Sequence, residues 1–287
     1  MKILYIGGLE HSGTTLTEQL LSSHPFSVSL GEIASFFSPS RMHAYFREWG
    51  DCDDVRRCSC GRVWEHCEFW GPIIHLCGTR SNQPLVNKYV QLLDCIRSSY
   101  GDRILLTDSS KSILALDSLR SALNQISSTE NSLAIVRVVK DVRSFATSMM
   151  RKSGKTGALE AYRFMNYWKY SNKKWLNYLN AQPQLVSCIG LYEHLCLDPI
   201  GRVNRILDMV GEGPLAELDI SNARSHIAMG NKNFLMRNRS RVRYDQTWFL
   251  DDKVLFAYLA NRGANRLNRD FYAMSDGLKT VRHFDKS

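Results

Sequence analysis

Apolar and polar positions follow two rhythms along this chain. Short apolar runs stand at Ile3–Ile6, Ser27–Leu30, Arg103–Thr107 (RILLT), Leu133–Val139 (LAIVRVV) and Val186–Leu191. Runs of this length, bounded by Gly, Pro, Ser or Asp, predict short buried strands, the last of them at Val186–Leu191. Between them apolar residues recur at helical spacing. Leu16, Leu20 and Leu21 form one such stripe, and Leu85, Tyr89, Leu92, Leu93 and Ile96 another. A third helix runs from the residues after Val139 through Met150. A long one over 157–179 places Ala161, Met165, Trp168, Trp175 and Leu179 on a core stripe. Val203, Ile206, Leu207 and Val210 mark a further helix, stopped by Gly211, and His24-Pro25 stops the first.

Ser35 to Gly78 fits neither rhythm and reads as irregular. It is rich in aromatic residues and holds Cys52, Cys58, Cys60, Cys67 and Cys77, five of the chain's eight cysteines. Their spacing is not the CxxC…CxxC of a zinc ribbon. Packed free thiols are the first reading, and no metal is assigned. The alternatives are a disulfide, or a metal held with Cys52 or His66 as fourth ligand.

The 287 residues are 44% hydrophobic and 23% charged, which suits a single α/β domain over 1–287 with an elaborated cap, placed at 35–100. The net charge of +9 points to an anionic partner. Lys and Arg are scattered and the aromatics follow no RNA-binding pattern, so nucleic acid is not expected. No apolar run approaches ~20 residues, so no membrane span is expected. The N-terminus reads as a strand entering a glycine turn rather than a signal peptide, and the cysteines suit a reducing compartment. A cytoplasmic protein is the expectation.

The candidate chemistry begins at Gly7–Gly13. Strand, glycine turn and helix together aim backbone N–H groups and a helix N-terminus at an anion. Gly8 and Gly13 permit close approach, and Ser12, Thr14 and Thr15 add hydroxyls. The turn nearly matches the nucleotide-binding GxxxxGK[ST], but Thr14 occupies the Lys position that a nucleotide hydrolase needs. Gly31-Glu32 and Asp108-Ser109-Ser110-Lys111-Ser112 each follow a predicted strand, at the sheet edge where ligands of open α/β sheets sit. A Lys at a helix start opposes the helix dipole, which favours a functional reading of Lys111.

His11-Ser12-Gly13-Thr14-Thr15-Leu16 resembles the 5′-phosphosulfate loop of sulfotransferases that use 3′-phosphoadenosine 5′-phosphosulfate (PAPS), roughly [KR]-[ST]-G-[TS]-[TS]-[LW]. His11 stands where that family usually has Lys or Arg. Other landmarks of the family follow in order: the HP helix end with Gly31-Glu32, a CxCG…CxFW insert of bacterial-type members, and the Asp108–Lys111 segment. Then come Lys140 with Ser148 eight residues on, Tyr192-Glu193-His194-Leu195 before Asp198-Pro199, and His226, Gly230-Asn231, Arg237, Asp245 and Trp248.

The resemblance implies a three-layer α/β/α fold with a mostly parallel, P-loop-like sheet and an irregular Cys- and aromatic-rich cap insert over the active site. It implies PAPS as co-substrate, adenosine 3′,5′-bisphosphate as product, and a small acceptor with a hydroxyl or amine. His11, Ser12, Gly13, Thr14 and Thr15 would hold the phosphosulfate. Lys140 and Ser148 would hold the 3′-phosphate, with Lys in place of the family's Arg and Arg143 compensating. Tyr192 would lie near the adenine, and Asn231 and Arg237 would belong to a loop that closes over the donor. Glu32 is the expected base, with Lys111 and His11 as catalytic cations. Glu193 and His194 read as structural. A P-loop-like nucleotide kinase or NTPase, and a catalytically silent PAPS-binding module, are the alternatives.

Overall fold

The structure is a computed structural model that describes residues 1–50, 52–77, 82–126, 132–220, 225–230 and 242–275. Its strands are β1 (Lys2–Gly8), β2 (Ser27–Gly31), β3 (Leu105–Asp108), β4 (Ser132–Val139), β5 (Val186–Leu191) and β6 (Ser225–Met229). They form one parallel six-stranded sheet in the order β5-β4-β1-β3-β2-β6. The fold is therefore α/β, as the sequence predicts. β1 lies between β3 and β4, so the strand order reverses at β1, and the glycine turn leaves from its C-terminal end.

Among the described residues the helices are α1 (Thr14–Leu21), α2 (Ile33–Phe36), α3 (Pro39–Trp49), α4 (Trp70–Cys77), α5 (Leu85–Tyr100), α6 (Ile113–Gln125), α7 (Val142–Ser153), α8 (Ala158–Asn180), α9 (Tyr192–Leu197), α10 (Pro199–Met209), α11 (Asp252–Ala260) and α12 (Arg262–Ser275). Short 3-10 turns stand at Trp64–His66 and Thr247–Leu250. No described helix is long and apolar enough to cross a membrane.

Three sequence expectations change. β5 is not the last strand, because Ser225–Met229 forms β6 beside β2. SHIAM is too short to declare itself; its pairing partner makes it a strand. At Gly31 (φ +82) a Cβ would meet the Met229 carbonyl oxygen, so β6 approaches only because that residue is glycine. Next, the stretch expected to be irregular holds α2, α3 and α4. The Ser38 hydroxyl caps α3 by accepting from Arg41 N–H at 3.4 Å, and Pro39 supplies a preset first turn. Finally, β3 starts at Leu105 rather than Arg103, whose guanidinium lies 4.5 Å over the Phe26 ring.

The chain divides into two compact units. The first comprises 1–7, 15–134 and 215–240. Its core joins Leu4, Tyr5 and Ile6 of β1, Leu105 and Leu106 of β3, Leu20 and Leu21 of α1, Tyr89, Leu92 and Leu93 of α5 and Leu116 of α6, all nearly devoid of exposure. A second knot packs Phe36 against Trp64 and Trp70, with ring centroids 5.1 and 4.5 Å apart. The second unit comprises 8–14, 135–214 and 241–287. There α7, α8, α11 and α12 bury Phe145, Met165, Trp168, Ala257, Leu267 and Phe271 with Leu9 and Val139. Trp168 and its neighbours are core residues, as their spacing predicts.

Candidate active site

The glycine turn belongs to the second unit and is shaped by its own side chains. Ser12 Oγ accepts from Leu9 N–H, and Ser12 N–H donates to the Leu9 carbonyl, both at 3.2 Å. Ser12 and Thr14 are buried. His11 takes a positive φ of 59°, a left-handed conformation in which His is commoner than most residues. Gly13 is also left-handed (φ +93), and a Cβ there would lie 2.4 Å from Tyr192 Cδ2. The aromatic ring of Tyr192 therefore lies directly against the glycine backbone.

The same ring borders Lys140, whose Nζ lies 4.6 Å from the Tyr192 centroid. Lys140 Nζ donates to Ser148 Oγ at 3.0 Å, and both residues are buried. Burial pushes the Lys140 ammonium below its ordinary pKa, while Asp245 and Glu193 pull it back up. Gly13, Lys140, Ser148 and Tyr192, which stand far apart in sequence, thus share one locality of the second unit. Asn231 and Arg237 lie outside the described residues.

A buried polar network holds the Lys140 loop in place. Asp141 caps α7 by accepting Arg143 N–H at 2.8 Å. Its carboxylate also takes the Arg143 guanidinium at 2.9 and 2.7 Å and the Asn268 amide at 3.0 Å. Glu193 Oε1 accepts Asp141 N–H at 3.0 Å, and burial raises the Glu193 pKa to about 7. Trp168 Nε1 donates to the Lys140 carbonyl at 3.0 Å. Arg143 sits over Trp248 and Tyr258, 4.0 and 4.7 Å from their centroids. Arg143 is thus engaged by Asp141 and two rings, which fix its guanidinium in place. Asn268, on α12, is a supporting residue that no local motif announces.

The first unit holds the other expected pair. Lys111 Nζ and Glu32 Oε1 form a salt bridge at 2.5 Å, joining residues 79 apart. Their backbones are tightly set. Glu32 N–H donates to the Met229 carbonyl at 3.0 Å. Lys111 has a positive φ of 61°, and Ser112 N–H donates to Tyr5 Oη at 2.9 Å. Ser110 Oγ donates to Asp108 and accepts Ala34 N–H at 2.9 Å, tying the Lys111 loop to the helix after Glu32.

Glu18 of α1 is fully buried and bonds to residues next to this pair. Its carboxylate accepts Gly31 N–H at 2.7 Å, Ser109 Oγ at 2.6 Å and Thr107 Oγ1 at 3.2 Å. One side chain thereby ties α1 to the residue before Glu32 and to the strand before Lys111. Burial raises the Glu18 pKa to about 7, against those hydrogen bonds, and raises Asp108 to about 6. The missed signal was a Glu at a position between Leu16 and Leu20, on a face that pattern alone assigns to solvent.

The cysteine insert brings Cys58, Cys60 and Cys67 together with His226 of β6, while Cys52 and His66 are exposed and stand apart from that group.

A sulfotransferase domain from the Synechococcus PCC 7002 olefin synthase superposes with a TM-score of 0.60 over 95% of this chain and 94% of its own, at 17% identity, so the two share a fold. The sulfotransferase domain from the curacin biosynthetic pathway gives 0.49 at 14% identity, over 90% and 96% of the two chains. Sulfotransferase STF1 from Mycobacterium tuberculosis H37Rv gives 0.45 at 15% identity, over 91% and 76%. No curated protein matches the sequence. Residues 4–213 match the family model described as the sulfotransferase family, and the chain belongs to that family.

Proposed function

We propose that this sulfotransferase takes its sulfuryl group from PAPS and passes it to a hydroxyl or amine of a small acceptor. The observation that carries the donor assignment is the buried Lys140–Ser148 pair, which shares its surroundings with Tyr192 and Gly13. A lysine buried beside a hydroxyl, and held below its usual pKa by that burial, gains most from a bound phosphate dianion. Tyr192 offers a ring face to the adenine. Ser12, Gly13, Thr14 and Thr15 offer the turn and helix start to the phosphosulfate.

In this reading the acceptor oxygen or nitrogen attacks sulfur in line. The bond from sulfur to the 5′-phosphate oxygen breaks, its electron pair stays on phosphate, and adenosine 3′,5′-bisphosphate leaves. Glu32 takes the acceptor proton. Its Oε1 is engaged by Lys111, and among the described residues its Oε2 accepts only a long 3.4 Å bond from Ser35, so Oε2 is the basic atom assigned. Lys111 and His11 answer the charge that grows on the leaving phosphate. Thr14, in place of the Walker lysine, argues against ATP hydrolysis.

The test is single-turnover transfer from sulfur-labelled PAPS, compared with adenosine phosphosulfate and with ATP, over a panel of small alcohols and amines. Labelled product from PAPS alone supports the reading. Binding without transfer to any acceptor indicates a silent donor-binding module, and phosphate release from ATP overturns the reading.

A further inference from the structure

We propose that Cys58, Cys60, Cys67 and His226 bind one zinc ion as a closed structural site that ties the cysteine insert to strand β6.

The four ligating atoms all lie within 4.8 Å of one another. Cys60 Sγ is 3.7 Å from Cys67 Sγ, and His226 Nδ1 is 3.3 Å from Cys67 Sγ and 4.0 Å from Cys58 Sγ. A tetrahedral ion with Zn–S of ~2.3 Å and Zn–N of ~2.0 Å has sulfur–sulfur edges of ~3.8 Å and sulfur–nitrogen edges of ~3.5 Å. The Cys60–Cys67 and Cys67–His226 separations lie within about 0.2 Å of those edges and the Cys58–His226 separation within about 0.5 Å, distances that a small side-chain adjustment around an ion closes. Packing alone has no reason to converge three thiols and an imidazole nitrogen at that spacing, since apolar burial is indifferent to where each sulfur points.

The surrounding backbone has the form of a ligand cradle. Cys58-Ser59-Cys60-Gly61 is a tight turn, with Cys58 N–H donating to the Arg62 carbonyl at 2.8 Å and Gly61 left-handed at φ +88. Backbone amides support each sulfur: Cys60 toward Cys58, Arg62 toward Cys60, and Phe69 and Trp70 toward Cys67. Amide donors to coordinating sulfur stabilise thiolate ligands. Ser59 clamps the turn to β6. Its hydroxyl donates to the Ser225 carbonyl at 2.7 Å and accepts Ile227 N–H at 2.9 Å, on either side of His226. Phe69 stacks on the imidazole at 5.1 Å and 18°, and Trp70 Nε1 donates to the His226 carbonyl at 2.5 Å. The histidine is thereby fixed with Nδ1 toward the sulfurs.

Three thiolates and a neutral imidazole form a soft, tetrahedral donor set, which selects zinc over magnesium or calcium. Histidine can replace cysteine at an iron–sulfur cluster, but a two-iron cluster spreads its ligands over two metals, whereas here all four ligating atoms lie within 4.8 Å of one another, around a single point. On binding, each thiol releases its proton to solvent as its sulfur bonds the metal. Four protein ligands leave no open position, so the role is structural. The site joins residues 159 apart, and it anchors β6, whose Met229 carbonyl accepts Glu32 N–H.

The experiment uses the full chain, purified under reducing conditions without a polyhistidine tag or chelator. Elemental analysis is expected to find about one zinc per chain, lost from the double variant Cys58→Ser/Cys67→Ser and kept by the control Cys95→Ser. After chelation, cobalt(II) is expected to give the intense visible bands of a tetrahedral site with thiolate charge transfer. His226→Cys should keep the metal and shift those bands toward an all-sulfur set, which preserves a test where the double variant fails to fold. Chelation should also lower Tm. Reduced wild-type protein that holds no zinc and gives no tetrahedral cobalt spectrum overturns the proposal. So does a Cys60–Cys67 disulfide in metal-free, folded protein, or zinc retained by the double variant.

Discussion

Lys140 Nζ donates to Ser148 Oγ at 3.0 Å, and the two residues are eight apart, one opening the loop after β4 and the other two turns into α7. The helix carries the hydroxyl back toward the strand end, so a loop lysine and a helix serine reach one point. Both residues are buried, so an anion brought to that point would meet a desolvated cation.

Lys140→Met should therefore weaken PAPS binding ~10–100-fold, since a charge-assisted contact is worth ~1.5–3 kcal/mol. Binding of adenosine phosphosulfate, which has no 3′-phosphate, should hardly change. Calorimetry on both ligands reads the difference. Ser148→Ala should show the same selectivity at smaller size. Because burial lowers the Lys140 pKa, PAPS binding should also take up a proton on the alkaline side, visible as a dependence of the measured heat on buffer ionisation.

Glu32→Gln keeps the shape of the side chain and removes its basicity. Turnover should fall ~100-fold or more with PAPS affinity nearly intact. Lys111→Met should lower turnover as well, and the double variant should be no worse than the poorer single one if the 2.5 Å pair acts as a unit. Additive losses in single-turnover rates would show that the two act separately.

Glu18, Asp108 and Glu193 all have pKa values raised by burial, to about 7, 6 and 7. The folded chain then holds protons that the unfolded chain has released between about pH 4.5 and 7, so stability falls as pH rises through that window and levels above it. Tm should drop between pH 5 and pH 7.5. Glu18→Gln should remove a large part of that slope, on the order of 3 kcal/mol for a shift of this size. Glu18→Ala should destabilise at every pH, because three buried donors lose their acceptor.

His11→Lys should retain activity and flatten the alkaline fall in rate if the imidazolium is what faces the leaving phosphate. His11→Ala should lose most of the rate. Lysine as inactive as alanine would assign His11 as the base in place of Glu32, and a wild-type pH–rate profile for His11→Ala would leave the residue to loop packing.

Gly13→Ala should abolish binding of adenosine 3′,5′-bisphosphate, because the added methyl meets Tyr192 and the left-handed φ of 93° opposes any Cβ. Gly13→Ala/Tyr192→Ala should still bind more weakly than Tyr192→Ala alone, because the collision is gone and the backbone strain remains. Equal binding by those two variants would assign the whole effect of Gly13→Ala to the ring.

Read residue by residue, the chain alone determined the alternation of apolar runs and helical stripes, and with it β1 to β5 and most of the long helices. These depend on local apolar periodicity, which a linear pattern carries in full. The Lys140/Ser148 spacing likewise marked two side chains that the loop and helix bring together. Everything that depended on a partner distant in sequence was decided only by the tertiary structure. β6 is a strand because Gly31 lets Met229 come close. Glu18 is buried because donors from β2 and β3 converge on it, although a glutamate between two leucines reads as a solvent-facing position. Arg143 is oriented by Asp141 and by Trp248, the latter more than a hundred residues away in sequence. His226 stands 159 residues from Cys67, and only the pairing of β6 with β2 and the Ser59 clamp bring its Nδ1 to that sulfur. Periodicity records which face of an element is apolar, whereas the meeting of two polar groups is set by the register and packing of elements far apart in the chain.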